Sequence, residues 1–98
     1  PNYITNLSVS GELISNNFKN IKGKIVLIEN ADPGYDWIFS KKIAGLITKY
    51  GGANSHMAIR CTEHKIPAAI GVGENLYNKI QNSKKITIRC DYKDIKLL

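Results

Sequence analysis

Residues 44–73 read AGLITKYGGANSHMAIRCTEHKIPAAIGVG. Ala44-Gly45-Leu46-Ile47-Thr48 is a short apolar run, the pattern of a buried strand. It leads straight into the glycine-rich stretch Lys49 to Asn54. From Ser55 to about His64 the pattern turns helical, with Ala58, Cys61 and Thr62 predicted on one face. Pro67 follows as a stop signal, and Ala68 to Val72 makes another short apolar strand. A strand, a glycine loop, a helix and a second strand in this span predict an α/β domain.

The flanks extend the same pattern. Lys24 to Glu29 contains the continuous run Ile25-Val26-Leu27-Ile28, another buried strand. Ala31-Asp32-Pro33-Gly34 predicts a turn, and Asp36 to Lys42 a short helix with Trp37, Ile38 and the following Ile43 inward. Ile4 to Ile14 alternates Leu7, Val9 and Leu13 with polar neighbours and predicts one half-exposed strand interrupted at Gly11. Ser15 to Lys22 is polar and turn-like. Downstream, Glu74 to Gln81 predicts a helix and Lys85 to Cys90 an alternating strand. The fold class is therefore α/β, with short helices packed on a small sheet.

The 98 residues fit a single domain, 1–98. There is no space for a nucleotide fold, an acceptor pocket and a lid together, which excludes large multi-substrate catalysis. Pro1 is not a translation start, and the expectation is a piece excised from a larger multidomain enzyme. The net charge is +6, from 14 Lys+Arg against 8 Asp+Glu. Only two of the basic residues are Arg, the side chain suited to bidentate base and phosphate contacts. Ile, Lys and Asn supply 15, 12 and 10 residues, a compositional bias that adds lysine without any ligand in mind. No nucleic-acid partner is expected; a basic nucleic-acid module is the remaining alternative, and it requires steep salt dependence. Cys61 and Cys90 lack Cys-x-x-Cys spacing, so we expect two reduced, buried thiols and no metal site. No apolar run approaches the ~18 residues of a membrane span, and the cytoplasm is the default location.

The chemistry concentrates in Gly51-Gly52-Ala53-Asn54-Ser55-His56. Glycines admit positive φ and close approach of a ligand. Asn54 or Ser55 can cap the helix, leaving the other side chain near its mouth. The first turn of a helix carries unpaired N–H groups and about half a positive charge, a setting that favours bound anions. It also disfavours imidazolium, so His56 is read as a neutral nucleophile whose phosphoryl adduct would lie beside those donors. On spacing alone the alternative stays open: an incidental histidine bonded to a backbone carbonyl.

Residues 51–73 resemble the signature of the phosphohistidine domain of phosphoenolpyruvate-utilising enzymes. The family pattern is matched at Gly51, Gly52, Ser55, His56, Ala58, Ile59, Glu63, Ile66, Pro67, Ala68 and Gly71. Gly23-Lys24-Ile25-Val26 and Ala44 to Thr48 also look like family segments, so the likeness runs from about Gly23 to the C-terminus. The family includes pyruvate phosphate dikinase, phosphoenolpyruvate synthase, rifampin phosphotransferase and glutamine kinase. The resemblance implies a swivelling β/β/α domain that carries a phosphoryl group on the histidine, through Nε2, between active sites on other domains. An ATP-grasp domain holding ATP and Mg, and an acceptor or phosphoenolpyruvate/pyruvate domain, would be its partners. This domain would bind no cofactor itself and would not turn over alone. Gly51 and Gly52 would give room for approach, while Asn54 and Ser55 stabilise the phosphate.

The sequence departs from the pattern twice. Asn54 stands where the family has threonine, so the regulatory threonine phosphorylation of plant-type dikinases is not expected. Cys61-Thr62-Glu63 replaces Ala-Arg-Glu, and the arginine is lost. Arg60, at i+4 from His56, lies on the same helical face and is the candidate substitute, with a solvated role as the alternative. The lost arginine also motivates a second reading, a non-catalytic interaction or regulatory domain that keeps the fold. His64 lies about 12 Å along the helix from His56 and is expected to be solvent-exposed. Trp37 is expected in the core. Gly71-Val72-Gly73 is read as a tight strand exit, because the third glycine of a dinucleotide fingerprint is missing.

Overall fold

The apolar runs Ile25–Ile28 and Leu46–Ile47 put alternate side chains on opposite faces of one sheet, and both faces are covered. In the computed structural model, which describes residues 1–98, Val26, Ile28, Leu46, Ala68 and Ile70 face one core. Ile25, Leu27, Ile47 and Ala69 face a second. The period of two in a strand explains this division. Strands covered on both sides read as continuous apolar runs for the same reason.

The strands are β1 (Asn2–Ile4), β2 (Ser8–Ile14), β3 (Ile25–Asn30), β4 (Gly45–Tyr50), β5 (Ala68–Ile70), β6 (Lys85–Arg89) and β7 (Asp94–Leu97). They form one curled seven-stranded sheet in the order β1-β5-β4-β3-β2-β6-β7. β2, β3, β4 and β5 are parallel neighbours; β1 is antiparallel to β5, and β6 lies antiparallel between β2 and β7. β2 belongs to both halves: Leu13 and Ile14 pair with β3, while Ser8 to Glu12 pair with β6. The sheet curls there, and Ile86 and Ile88 of β6 fold over onto the second core.

A 3-10 helix (Pro33–Lys41) and helix α1 (His56–His64) cover the first face, through Ile38, Phe39, Met57, Ala58 and Cys61. Helix α2 (Glu74–Gln81) covers the second with Ile80, so the layers run helix, sheet, then a second layer of strand and helix. Each such fully buried Ile, Leu or Met contributes roughly 1.5–3 kcal/mol relative to exposure. This is the small α/β domain that the patterning predicts.

Several local expectations are corrected. Ile4–Ile14 is two strands, β1 at one edge of the sheet and β2 inside it between β3 and β6, and Thr5 turns the chain between them at φ 73°; Gly11 is an ordinary rung of β2, opposite Ile86. The helix expected over Asp36–Lys42 starts earlier and is tighter: Asp32 caps it by accepting from the Gly34 N–H at 2.8 Å, with Pro33 in the first turn. Trp37 is 42% exposed rather than in the core, resting edge-on against Phe18 at 6.3 Å, because Ile38 and Phe39 take the inward positions. Thr62 faces solvent, since Met57, Ala58 and Cys61 already fill the inward stripe; its hydroxyl donates to the Ala58 carbonyl at 3.1 Å. Strand β7 lies beyond the last element predicted. Its Asp94 accepts from Arg89 of β6, Nε to Oδ1 at 2.7 Å. The thiols Cys61 and Cys90 are free and buried, as expected. No helix is long and apolar enough to cross a membrane.

Candidate functional site

Neighbouring parallel strands bring their carboxyl ends to one edge, the usual place for a site in an α/β sheet. β3 and β4 pair out to Asn30 opposite Tyr50. The segment after β3 becomes the 3-10 helix and the segment after β4 becomes the glycine loop and α1. Asp36 and His56 thereby meet, although 20 residues separate them in the chain.

The loop is built from buried polar contacts. Thr48 is fully buried; its hydroxyl donates to the Tyr50 carbonyl at 2.8 Å and accepts from the Gly71 N–H at 3.0 Å. The Thr48 carbonyl also accepts from the Gly71 and Val72 N–H groups. Gly71, at φ +73°, is pressed so closely on Gly51 that any Cβ would overlap the Gly51 carbonyl oxygen. Gly51, at φ +129°, has no room of its own: a Cβ would meet the Ala31 methyl at 2.6 Å. Gly52, by contrast, faces open space. The two glycines thus differ, the first required by packing and the second not.

Ser55, not Asn54, caps α1: its hydroxyl oxygen accepts from the Ala58 N–H at 3.3 Å, and its carbonyl accepts from Ile59 N–H. The Ser55 O–H can still donate outward. Asn54 is exposed beside it. His56 is the first residue of α1, its side chain 42% exposed. Its Nε2 lies 2.8 Å from Asp36 Oδ1, and Arg60 Nε donates to the same oxygen at 2.9 Å. Arg60 Nη1 donates to Glu63 at 3.2 Å, and its guanidinium sits over the Phe39 ring. The His56 hydrogen bond is the largest influence on the Asp36 carboxyl; desolvation opposes it, and the hydrogen bond and charge of Arg60 add to it, so the group is held below the usual carboxylate range. Arg60 does lie on the His56 face of the helix, but it is committed to two carboxylates. His64 is exposed, as expected, and stacks on Phe39 with ring centroids 5.2 Å apart.

Sequence reasoning passed over Asp36. The signal was its place shortly after a buried strand, one strand away from the glycine loop. His56 lies on open surface: clefts of about 360 and 340 Å³ lie elsewhere, the larger around Lys19, Lys22, Lys41 and Lys42. No three His, Cys, Asp or Glu side chains converge as a metal-holding group. The arrangement offers an accessible imidazole, a helix start and an acid–base network, with no enclosed substrate pocket.

The chain matches the family model described as PEP-utilising enzyme, mobile domain, over residues 20–93. It belongs to that family. Curated relatives include phosphoenolpyruvate synthase from Aquifex aeolicus (strain VF5), 38% identical over 69 residues, covering 70% of this chain and 8% of the relative. Rifampicin phosphotransferase from Bacillus cereus is 35% identical over 66 residues, 67% of this chain and 7% of the relative. Phosphoenolpyruvate-protein phosphotransferase from Mycoplasma genitalium is 31% identical over 75 residues, 74% of this chain and 13% of the relative. The chain thus spans only a small part of the length of these relatives.

Proposed function

We propose that this chain is the phosphohistidine carrier domain of a multidomain phosphotransferase, with His56 loaded and unloaded at sites on other domains. The observation that carries the reading is an exposed imidazole at the first residue of α1, on an open surface, in a family of mobile domains found within phosphoenolpyruvate-utilising enzymes. In the loading step the Nε2 lone pair attacks the terminal phosphorus of the donor. The bond from phosphorus to the leaving oxygen breaks, that oxygen departs with the electron pair, and Nδ1 keeps the ring proton. The reverse displacement delivers the phosphoryl group to the acceptor.

The local geometry supports this assignment. The α1 N-terminus favours negative charge, and the Ser55 cap hydroxyl and the exposed Asn54 just before it stand at that helix mouth to hydrogen-bond a phosphoryl group. Gly52 faces open space. Trp37, Tyr50 and Ile59, large exposed side chains on the segments around His56, suit docking against a larger domain that swivelling would bring alternately into reach. ATP, or phosphoenolpyruvate, and Mg are assigned to partner domains, with an ATP-grasp domain as the loading partner and the cytoplasm as the setting.

The test is to incubate the polypeptide that carries this domain with γ-labelled ATP, and separately with labelled phosphoenolpyruvate. Acid-labile, base-stable label is expected, and it disappears in His56→Ala. Label that persists in His56→Ala overturns the assignment.

A further inference from the structure

We propose that Asp36 is a latch for the unloaded carrier: it holds the His56 ring by Nε2 and masks that nitrogen until the ring is released. The proposal rests on His56 being the phosphoryl carrier and adds a positioning residue to it. Asp36 Oδ1 lies 2.8 Å from Nε2. An ionised carboxylate only accepts hydrogen bonds, so the hydrogen in this contact belongs to Nε2. A ring nitrogen that carries a proton has no in-plane lone pair with which to attack phosphorus. In the latched ring, therefore, Nε2 is the donor and Nδ1 bears the lone pair.

Arg60 makes the latch specific to the ring. Its Nε donates to the same carboxylate oxygen at 2.9 Å, and Glu63 holds its Nη1. The carboxylate is thus pinned to α1 and does not follow the imidazole when the ring turns outward. With side chains 42% and 44% exposed, the His56–Asp36 contact is of the weak, reversible surface kind. On release the Nε2 hydrogen passes to solvent and Nδ1 takes one up, which frees the Nε2 lone pair; once Nε2 carries a phosphoryl group it has no hydrogen to donate, and the dianion repels the Asp36 carboxylate. The loaded ring is thereby excluded from the latch, while the unloaded ring returns to it. Load state and ring position are coupled through one residue that touches neither donor nor acceptor.

Phosphoramidate tests this without any partner domain. The histidine lone pair attacks phosphorus, the P–N bond breaks, and ammonia leaves with the electron pair, taking up a proton. ³¹P and long-range ¹H–¹⁵N spectra, with His56 and His64 assigned separately, tell which ring nitrogen is labelled. In the wild-type chain, label on His56 is expected first at Nδ1. In Asp36→Ala the rate at Nε2 is expected to rise about 1.5- to 5-fold, the range of an exposed ion pair. An unchanged Nε2 rate in folded Asp36→Ala overturns the latch. The wild-type resting spectrum decides independently of any variant: a neutral ring with its hydrogen on Nε2 supports the latch, and one with its hydrogen on Nδ1 overturns it. Neither readout depends on transfer from ATP or phosphoenolpyruvate. Failure of the carrier assignment shows instead as label that survives His56→Ala.

Discussion

Gly71→Ala is the sharpest test of how the His56 loop is held. The substitution has two costs. At φ +73° an L side chain is strained by roughly 1–2 kcal/mol. The new Cβ also falls on the Gly51 carbonyl oxygen, well inside the 3.0 Å below which Cβ contacts essentially do not occur. Gly51 is itself closely packed, since a Cβ built on it would meet the Ala31 methyl at 2.6 Å and Ile70 Cγ2 at 3.1 Å. An overlap of this kind adds about 1–3 kcal/mol. Gly23→Ala is the matched control: φ is +72°, with nothing within 4 Å of its Cβ. Both variants gain the same ~0.4–1 kcal/mol from a stiffer unfolded chain, so that gain cancels between them. Urea unfolding followed by circular dichroism should therefore place Gly71→Ala about 1–3 kcal/mol below Gly23→Ala. In thermal unfolding that is a difference of roughly 5–20 °C for a chain of this size. Equal losses in the two variants would refute the idea that direct contact between Gly71 and Gly51 holds the loop.

Two further outcomes follow from the titrating groups. Asp36, held low chiefly by His56 and then by Arg60, should titrate below 3.8 in ¹³C-detected spectra. Its value should return upward in both His56→Ala and Arg60→Ala; no change in either contradicts the geometry. Because its folded value is depressed, its contribution to stability is present above the unfolded value and is lost as pH falls through the folded one. Burial, with a smaller effect from Cys90, pushes the Cys61 thiol up to about 12, and burial also raises Cys90. Neither thiol should react with a disulfide reagent at pH 8 in the folded chain, and both should react in concentrated urea. The Cys61 contribution to stability is complete below its ordinary value of 9.0 and is lost as pH rises toward 12. Rapid labelling of native Cys61 would contradict its placement.

Apolar runs and helix signals were readable because they depend on neighbours in the chain. Ile25–Ile28, Leu46–Ile47, the helix from His56 and the alternating Lys85–Arg89 are all local patterns. Two short-range features escaped: the turn at Thr5 and the tight helix that begins at Pro33. The first places a non-glycine residue at positive φ, and the second has its Asp32 cap and Pro33 inside a stretch that reads equally as a turn. Trp37 escaped as well. Hydrophobicity argues for burial, but Ile38 and Phe39 occupy the inward positions.

The sequence alone determined that His56 opens a helix behind a glycine loop, since spacing, capping and punctuation are local properties. It was also enough for the likeness to phosphohistidine domains, which rests on a continuous run of residues. Only the tertiary structure decided what touches the histidine. Asp36 reaches Nε2 because parallel β3 and β4 end side by side, a contact across 20 positions that no periodicity encodes. The tertiary structure likewise separated Gly51, locked between Ala31 and Gly71, from Gly52 in open space. Adjacent glycines read alike in a sequence, and steric demand differs only once other segments are packed around them.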